Sequence, residues 1–489
     1  MVSGVQLSFP SPMAKLGSVK VIEVCRVAPK PSSPLDSAHP DDVSLPLTFF
    51  DLRWLRFPPP QFLSFYNMPS FDPSHFFDSI FPKLKTSLSA TFQHFVPLAG
   101  NLTWPLDSPI PVLNYVKGDA ILLTIAESDA DFHRLISTNN FDIEAKEYHP
   151  LEPQLAVSHD KAAVLALQIT VFPNGGFSIG SAMHKAVFDG LSAFSFFKFW
   201  GHLCKHGGRE GGGPPPLPTY NRKVIKDPAG LQAIFSNEWL RLGGPNNRTL
   251  MLFEVGGPGD RIRGTFEFTR AKIEMLRRSV MRTMKAKKKE QADHSKLLHL
   301  STNLLTCAYT WVCLVRAEEI KTEKVVFILH VDCRSRLDPP LPPTYFGNCI
   351  AGHSVVAKTK DLLGEDGLLV ALNAISEVIK SLDKTLLEGA ETWVSRILNT
   401  LLQPSTDRII TTAVQHGSPQ FEFYDAADFG WGRPTKHEIV SIDGTGAMSY
   451  QKSKNGDGAV EVGLVLQKRY MKAFAYLFAE GLGEKLSRM

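Results

Sequence analysis

The stretch Gly176-Phe-Ser-Ile-Gly-Ser-Ala-Met-His-Lys-Ala-Val-Phe-Asp-Gly190 decides the fold of this chain. Its first half alternates apolar with small residues, and a period of two is typical of a half-buried β-strand. The small residues leave room for another group to approach the backbone closely. The aromatic run at 191–200 predicts a buried helix directly afterwards. We therefore expect a strand, a sharp turn and a helix, with His184, Lys185 and Asp189 at the turn.

On this stretch alone, an ordinary loop with solvated polar residues is an equally good interpretation. Two downstream stretches favour a functional turn: Tyr345-Phe-Gly-Asn-Cys349 and Asp428-Phe-Gly-Trp-Gly-Arg-Pro434. Together with the turn they resemble the motifs of the plant BAHD acyl-CoA-dependent acyltransferases, which are HxxxD and DFGWG. The resemblance extends over nearly the whole chain. The YFGNC stretch resembles the branch that acylates anthocyanins and other phenolic glycosides.

The chain departs from this family pattern at the centre of the first motif. The family usually has two consecutive histidines there, and the second, four residues before the aspartate, is the catalytic one. Lys185 occupies that position, and His184 matches the first histidine. The resemblance therefore places the catalytic base at Lys185, with His184 as the alternative.

The resemblance also implies roles for the other motif residues. Asp189 would pair with Arg334 and hold the turn in shape, although a surface ion pair is the alternative. The helix start at Ser301 and Thr302 would lie near the coenzyme, where a helix N-terminus attracts anions, or would simply be capped. The second motif is expected to be structural rather than catalytic: Asp428, Phe429, Gly430, Trp431 and Gly432.

Lysine is a poor substitute for a histidine base. Its ordinary pKa near 10.4 leaves only about 1 in 2,500 molecules neutral at pH 7. Deep burial would rescue Lys185 by lowering this pKa. His184 would replace it only if the strand exit bulged by one residue, because adjacent side chains point to opposite faces. We expect neither rescue, so that Lys185 stays charged and acyl transfer at neutral pH is weak.

The composition limits the class of protein. The chain has 489 residues, 43% of them hydrophobic, and a formal net charge of +4. The small charge argues against a dedicated nucleic-acid binder, and no uncharged apolar run is long enough to span a membrane. Six scattered cysteines are typical of free thiols in a reducing compartment. We expect a cytoplasmic monomer with no metal, whose residues 1–18 form a frayed extension.

The order of the elements predicts a mixed α/β protein. The Gly/Pro-rich stretch after residue 204 indicates a linker at 205–230, between an N-terminal domain at 19–204 and a C-terminal domain at 231–489. The resemblance implies two similar chloramphenicol-acetyltransferase-like domains with the active-site channel between them. We predict an extended segment at 47–54. The basic run at 282–289 is interpreted as a solvated, mobile loop, or else as a basic rim that attracts an anionic cofactor.

Three functions are compatible with these observations. The first is transfer of a hydroxycinnamoyl or malonyl group from coenzyme A to a hydroxyl of a phenolic or anthocyanin glycoside, by direct general-base attack and without an acyl-enzyme. Acyl-CoA is then a co-substrate, and no cofactor is permanently bound. The second is a catalytically impaired family member that still binds ligand. A non-enzymatic interaction module is disfavoured, because DFGWG and YFGNC occur together.

Overall fold

Strands and helices intermix along the whole chain. The computed structural model describes residues 17–31, 42–137, 143–207, 213–254, 259–291, 300–402, 408–412 and 421–483. The strands are β1 Val19–Val27, β2 Asp42–Pro46, β3 Gln61–Asn67, β4 Asn101–Thr103, β5 Val112–Val116, β6 Ile121–Ser128, β7 Lys161–Ala163, β8 Leu165–Phe172, β9 Gly176–Met183, β10 Arg261–Phe268, β11 Lys324–Asp332, β12 Ile350–Lys358, β13 Arg408–Thr411, β14 Lys436–Ile439, β15 Ser449–Lys452 and β16 Val460–Gln467.

Helices of very different lengths separate these strands. The α-helices are α1 Phe49–Leu52, α2 Pro73–His75, α3 Phe81–Thr91, α4 Phe132–Ile136, α5 Gly190–Lys205, α6 Leu231–Arg241, α7 Arg270–Gln291, α8 Thr302–Ala317, α9 Thr359–Leu363, α10 Gly367–Thr385, α11 Trp393–Leu402, α12 Phe423–Ala426, α13 Ile442–Thr445 and α14 Lys468–Gly481. A π-helical turn at Phe76–Ile80 joins α2 to α3. Short 3-10 turns lie at Val96–Ala99, Ala145–Glu147, His149–Leu151, Arg222–Val224, Arg334–Arg336 and Ala390–Thr392.

The strands of the described residues form four sheets. The first has the order β1-β6-β8-β9-β3-β14, with β6 and β8 parallel. In the second half, β12-β11-β13 and β10-β16-β15 are three-stranded sheets, and β11 and β13 are parallel. A bridge between Thr412 and Met448 joins these two sheets edge to edge. A small sheet, β2-β5-β4-β7, completes the N-terminal half. The predicted mixed α/β class is confirmed, with four sheets in place of the expected two.

The two halves of the chain exchange elements. Strand β14 pairs with β3 and so becomes the edge of the N-terminal sheet. Helix α6 packs its buried face, including Trp239, into the core built around α3 and α5. The Trp239 indole donates a 2.7 Å hydrogen bond to the carbonyl of Leu52. The boundary predicted at 205–230 stays a prediction, and residues 208–212 within it lie outside the described residues.

The prediction of an extended segment at 47–54 is wrong in part. Strand β2 ends at Pro46, and the chain turns into α1 at Phe49. The cause is a capping box: the Asp51 carboxylate accepts from both the backbone N–H and the hydroxyl of Thr48, at 3.0 and 2.8 Å. Both bonds run from Thr48 to Asp51 and fix the helix start. The apolar spacing at 47–54 does not distinguish such a short, fully buried helix from a strand.

The basic run after Met281 also differs from its prediction. Helix α7 continues through it to Gln291, so the described part of the run is helical rather than a loop. Lysine and arginine are good helix formers, and the apolar residues on the opposite side hold α7 against the C-terminal core. Within the residues that the structure describes, no helix combines the length and the apolar character that crossing a bilayer requires.

Candidate active site

The predicted strand, turn and helix are present. Strand β9 ends at Met183, and α5 begins at Gly190. The Asp189 side chain caps α5 by accepting a 3.1 Å hydrogen bond from the backbone N–H of Ser192. The turn between the two elements is completely buried. Its polar residues are therefore not the solvated groups of an ordinary loop.

Asp189 and Arg334 form the predicted ion pair, and it is buried. Two guanidinium nitrogens of Arg334 bond the two carboxylate oxygens at 2.8 and 3.1 Å. The exposed fraction of the side chain is 4% for Arg334 and 0% for Asp189, which rules out a surface pair. Burial alone would raise the pKa of Asp189, but the guanidinium more than offsets this and holds the pKa below its ordinary value. Asp189 is thus a fixed anion that shapes the turn.

The same pair holds the YFGNC loop. Arg334 donates to the carbonyls of Tyr345 and Gly347, at 3.1 and 3.0 Å. The Asp189 carboxylate accepts a further bond from the backbone N–H of Cys349 at 3.1 Å. Gly347 has φ of +147°, a conformation that favours glycine. One bidentate pair therefore fixes the turn after β9 and the loop before β12 relative to each other.

Lys185 is buried beside this loop. Its Nζ donates a 2.7 Å hydrogen bond to Oδ1 of Asn348 and lies 4.7 Å from the ring centroid of Trp54. Burial lowers the pKa of Lys185 to about 7; Asp189 opposes this shift and Arg53 adds to it. The expectation that Lys185 stays fully charged therefore does not fit its environment. The neutral amine is therefore far more accessible near neutral pH than that of an exposed lysine.

His184 lies in the same turn, but its hydrogen bonds are made to the backbone. Its Nδ1 accepts a 3.3 Å hydrogen bond from the backbone N–H of Ala186. Its backbone N–H donates to the carbonyl of Val164, which continues the β8–β9 pairing by one residue without a bulge. Burial, reinforced by the charge of Lys185, lowers the pKa of His184 to about 4. His184 is thus a neutral side chain in a structural position.

The sequence analysis missed the carboxylate that orients Lys185. Asp51 accepts hydrogen bonds from both the backbone N–H and the side-chain amide of Asn348, at 2.9 and 3.1 Å. The same amide donates to the carbonyl of Lys185 at 3.0 Å. Asn348 therefore presents its oxygen to Lys185 in one orientation. The spacing of Thr48 and Asp51, which predicts a capping box, was the available signal for this part of the site.

The DFGWG motif contacts the far end of α5. Asp428 accepts from the backbone N–H groups of Gly430 and Gly432 and pairs with Lys205, the last residue of α5, at 2.8 Å. Phe429 is buried against Trp200 of α5, with ring centroids 4.6 Å apart. Both glycines have positive φ, 105° and 97°, as the sequence led us to expect. Trp431 is partly buried against the same core.

Ser301 caps helix α8. Its hydroxyl accepts a 3.2 Å hydrogen bond from the backbone N–H of Leu304. Thr302, the first helical residue, is partly buried. The cap explains the serine at this position, and contact of Ser301 or Thr302 with the coenzyme stays a prediction.

Replacing Ser301 with alanine should lower the free energy of unfolding by about 1 kcal/mol, because an N-terminal donor of α8 loses its acceptor. Chemical denaturation measures this. If the helix start also receives an anion of the coenzyme, Ser301→Ala and Thr302→Val will weaken coenzyme A binding in a calorimetric titration. An unchanged dissociation constant in both variants would contradict the coenzyme role and leave only the cap.

The fold matches those of solved structures. The chain resembles vinorine synthase with a TM-score of 0.63 at 21% identity, covering 93% of this chain and 96% of that one. It resembles TRI101 of F. sporotrichioides, in a complex with coenzyme A and T-2, with a TM-score of 0.58 at 16% identity, covering 89% and 97%. At these identities the likeness shows a common fold.

Sequence comparison gives the family. The Transferase family profile matches residues 26–480. Phenolic glucoside malonyltransferase 1 of Arabidopsis thaliana is 38% identical, covering 95% of this chain and 98% of its own length. Agmatine coumaroyltransferase of the same plant is 36% identical, covering 95% and 100%. The chain therefore belongs to this transferase family, the BAHD acyl-CoA-dependent acyltransferases.

Proposed function

We propose that this protein transfers an acyl group from coenzyme A to a hydroxyl of a phenolic glycoside. The observation that carries the proposal is the buried Asp189–Arg334 pair, which joins the first motif to the YFGNC loop in a family member. Two Arabidopsis relatives support the acceptor class: the phenolic glucoside malonyltransferase and an anthocyanidin 5-O-glucoside malonyltransferase, which is 37% identical over 95% of this chain.

Lys185 acts as the general base in this proposal. Its neutral amine takes the proton of the acceptor hydroxyl as the oxygen attacks the thioester carbonyl. The tetrahedral intermediate then collapses, the carbon–sulfur bond breaks, and the Lys185 ammonium returns the proton to the leaving thiolate. Asn348 and Trp54 orient the amine both before and after it takes the proton. The burial that lowers the pKa of Lys185 to about 7 makes this role compatible with neutral pH.

The acyl donor is either a malonyl or a hydroxycinnamoyl ester. The malonyltransferase relatives favour the first, and the coumaroyltransferase relative keeps the second open. A panel of malonyl-, acetyl- and coumaroyl-CoA against phenolic and anthocyanin glucosides tests the proposal. We expect turnover with at least one donor on a sugar hydroxyl. Lack of turnover with every pair, by a protein that binds coenzyme A, would overturn it.

A second candidate function is ligand binding without efficient catalysis. The observation that favours it is Lys185 at the position of the family's catalytic histidine, with its amine held by Asn348. Calorimetric titration of coenzyme A beside the turnover panel discriminates between the two candidates. Binding with no turnover supports this one, and brisk turnover excludes it. For both candidates we infer a cytoplasmic monomer. Light scattering after size-exclusion chromatography measures the oligomeric state.

A further inference from the structure

Arg53 is a buried cation without a carboxylate partner among the described residues. Only 6% of its surface is exposed, and its Nε has no hydrogen-bond partner. Its Nη1 makes a long contact of 3.5 Å with the carbonyl of Ile350. A guanidinium carries five N–H donors and is rarely buried without satisfying them. Most of the hydrogen-bonding capacity of Arg53 is therefore unused.

Two other buried arginines of this protein have carboxylate partners, whereas Arg56 and Arg222 donate to carbonyl or hydroxyl oxygens. Arg334 has Asp189, and Arg263 lies between Glu438 and Asp443. Their carboxylates more than offset burial and raise the pKa of both arginines. Burial lowers the pKa of Arg53 to about 9. Arg53 has no such carboxylate among the described residues, and its hydrogen bond of 3.5 Å is longer than those of Arg56 and Arg222.

The surroundings of Arg53 add positive charge. Its guanidinium carbon lies 4.5 Å from the ring centroid of Trp54 and 4.6 Å from that of Trp393. Lys185 approaches the same Trp54 ring to 4.7 Å, so the two cations are no more than about 9 Å apart. The nearby carboxylate of Asp51 is already occupied by Thr48 and Asn348. The charge of Arg53 is thus left without a counterion close to the proposed base.

Gly352 of β12 lies directly against this guanidinium. His330 of β11 and Gly352 are directly paired across the two strands. A Cβ atom at Gly352 would lie 2.8 Å from Nη2 of Arg53, so the glycine makes room for the arginine. His330 and His353 are partly exposed side chains whose pKa values respond to the charge of Arg53. Burial, followed by the charge of Arg53, lowers the pKa of both histidines, which leaves them neutral beside the arginine.

We propose that Arg53 binds a carboxylate of a substrate held next to Lys185. A guanidinium binds a carboxylate through two parallel hydrogen bonds, and the unused donors of Arg53 are suited to this. The carboxylate has two sources under the proposed function, on which this inference rests. It belongs either to a dicarboxylic acyl group such as malonyl on the donor, or to a carboxylated acceptor. Arg53 would then determine substrate specificity.

The test compares Arg53→Met with the parent protein in calorimetric titrations. Methionine keeps an apolar chain between the two tryptophans and removes the charge. For a donor carboxylate, we expect the parent to bind malonyl-CoA at least tenfold more tightly than acetyl-CoA, and Arg53→Met to lose this preference by weakening malonyl-CoA alone. If the carboxylate belongs to the acceptor, we expect Arg53→Met to bind 4-hydroxybenzoate glucoside more weakly than the parent does. Binding of the methyl ester of this glucoside should not change. Arg241→Met, at an exposed arginine of α6, is the matched control.

Two outcomes overturn the inference. In the first, Arg53→Met binds all four ligands as the parent does. In the second, Arg53→Met binds charged and uncharged ligands more weakly by the same factor, which indicates a structural role for Arg53. If no CoA ester and no glucoside binds the parent, the proposed function fails instead. Free malonate then tests Arg53 by itself, since it should raise the melting temperature of the parent more than that of Arg53→Met at equal ionic strength. Equal shifts would overturn the inference.

Discussion

Replacing Lys185 with methionine is expected to lower kcat at pH 7 by roughly 10² to 10⁴, the usual effect of losing a general base. The dissociation constant of coenzyme A should change little. Methionine removes a buried amine, so the variant should melt no lower than the parent at pH 7. Steady-state kinetics with the donor and acceptor found in the panel, together with thermal melts, measure these quantities. Lys198→Met, at an exposed lysine of α5, is the matched control.

The pH profile of the parent enzyme gives a second measure of the same role. Below the folded pKa of Lys185, about 7, the amine is protonated, so kcat should rise about tenfold per pH unit and then level off above it. A lysine with an ordinary pKa would still show a rising rate at pH 9. Lys185→His should retain activity, and His184→Ala should lower kcat far less than Lys185→Met. If His184→Ala is inactive and Lys185→Met is active, the general base is His184 rather than Lys185.

Replacing Asp189 with alanine is expected to lower the free energy of unfolding by about 3–5 kcal/mol. The change leaves the buried Arg334 guanidinium without its anion, and breaking such a pair has effects of this size. It also removes the cap of α5, which contributes about 1 kcal/mol. Chemical denaturation of the parent and the variant measures the loss. Asp189→Asn keeps an acceptor for Ser192 and should separate the charge from the cap.

The Arg270–Asp457 pair is the matched control for this prediction. Both of its side chains are about 70% exposed, at 69% and 70%. Replacing Asp457 with alanine should change the free energy of unfolding by less than about 1 kcal/mol, as exposed ion pairs do. An Asp189→Ala variant as stable as Asp457→Ala would show that the buried pair is not formed in solution.

Acid should weaken the Asp189–Arg334 contribution in a defined direction. The folded pKa of Asp189 is below its ordinary value, so the stabilisation is fully present above the unfolded pKa near 3.9 and is lost as pH falls through the folded value. The difference in stability between the parent and Asp189→Asn should therefore be constant near neutral pH.

Much of the site could be predicted from local patterns. The period of two before Met183 predicted the strand, and the aromatic run after Asp189 predicted the buried helix. The motif resemblance supplied the partner Arg334, 145 residues away in the chain. The spacing of polar residues alone would not have identified this pair.

The rest depended on tertiary structure. Burial of Lys185 is produced by Asn348 and Trp54, which lie far from it in the sequence, so no local pattern predicts its lowered pKa. The unpartnered state of Arg53 is likewise a property of the folded environment. Helix α1 was missed because a short capped turn within an apolar run has no periodicity of its own.

Helix α5 has an ion pair at each end, so it connects the turn after β9 to the DFGWG motif. Its first turn is fixed by Asp189 and Arg334, and its last residue, Lys205, is fixed by Asp428 of the DFGWG motif. The helix has 16 residues, which corresponds to a length of about 24 Å. We therefore expect a substitution at Asp428 to loosen the end of α5 that lies about 24 Å from the turn with Lys185.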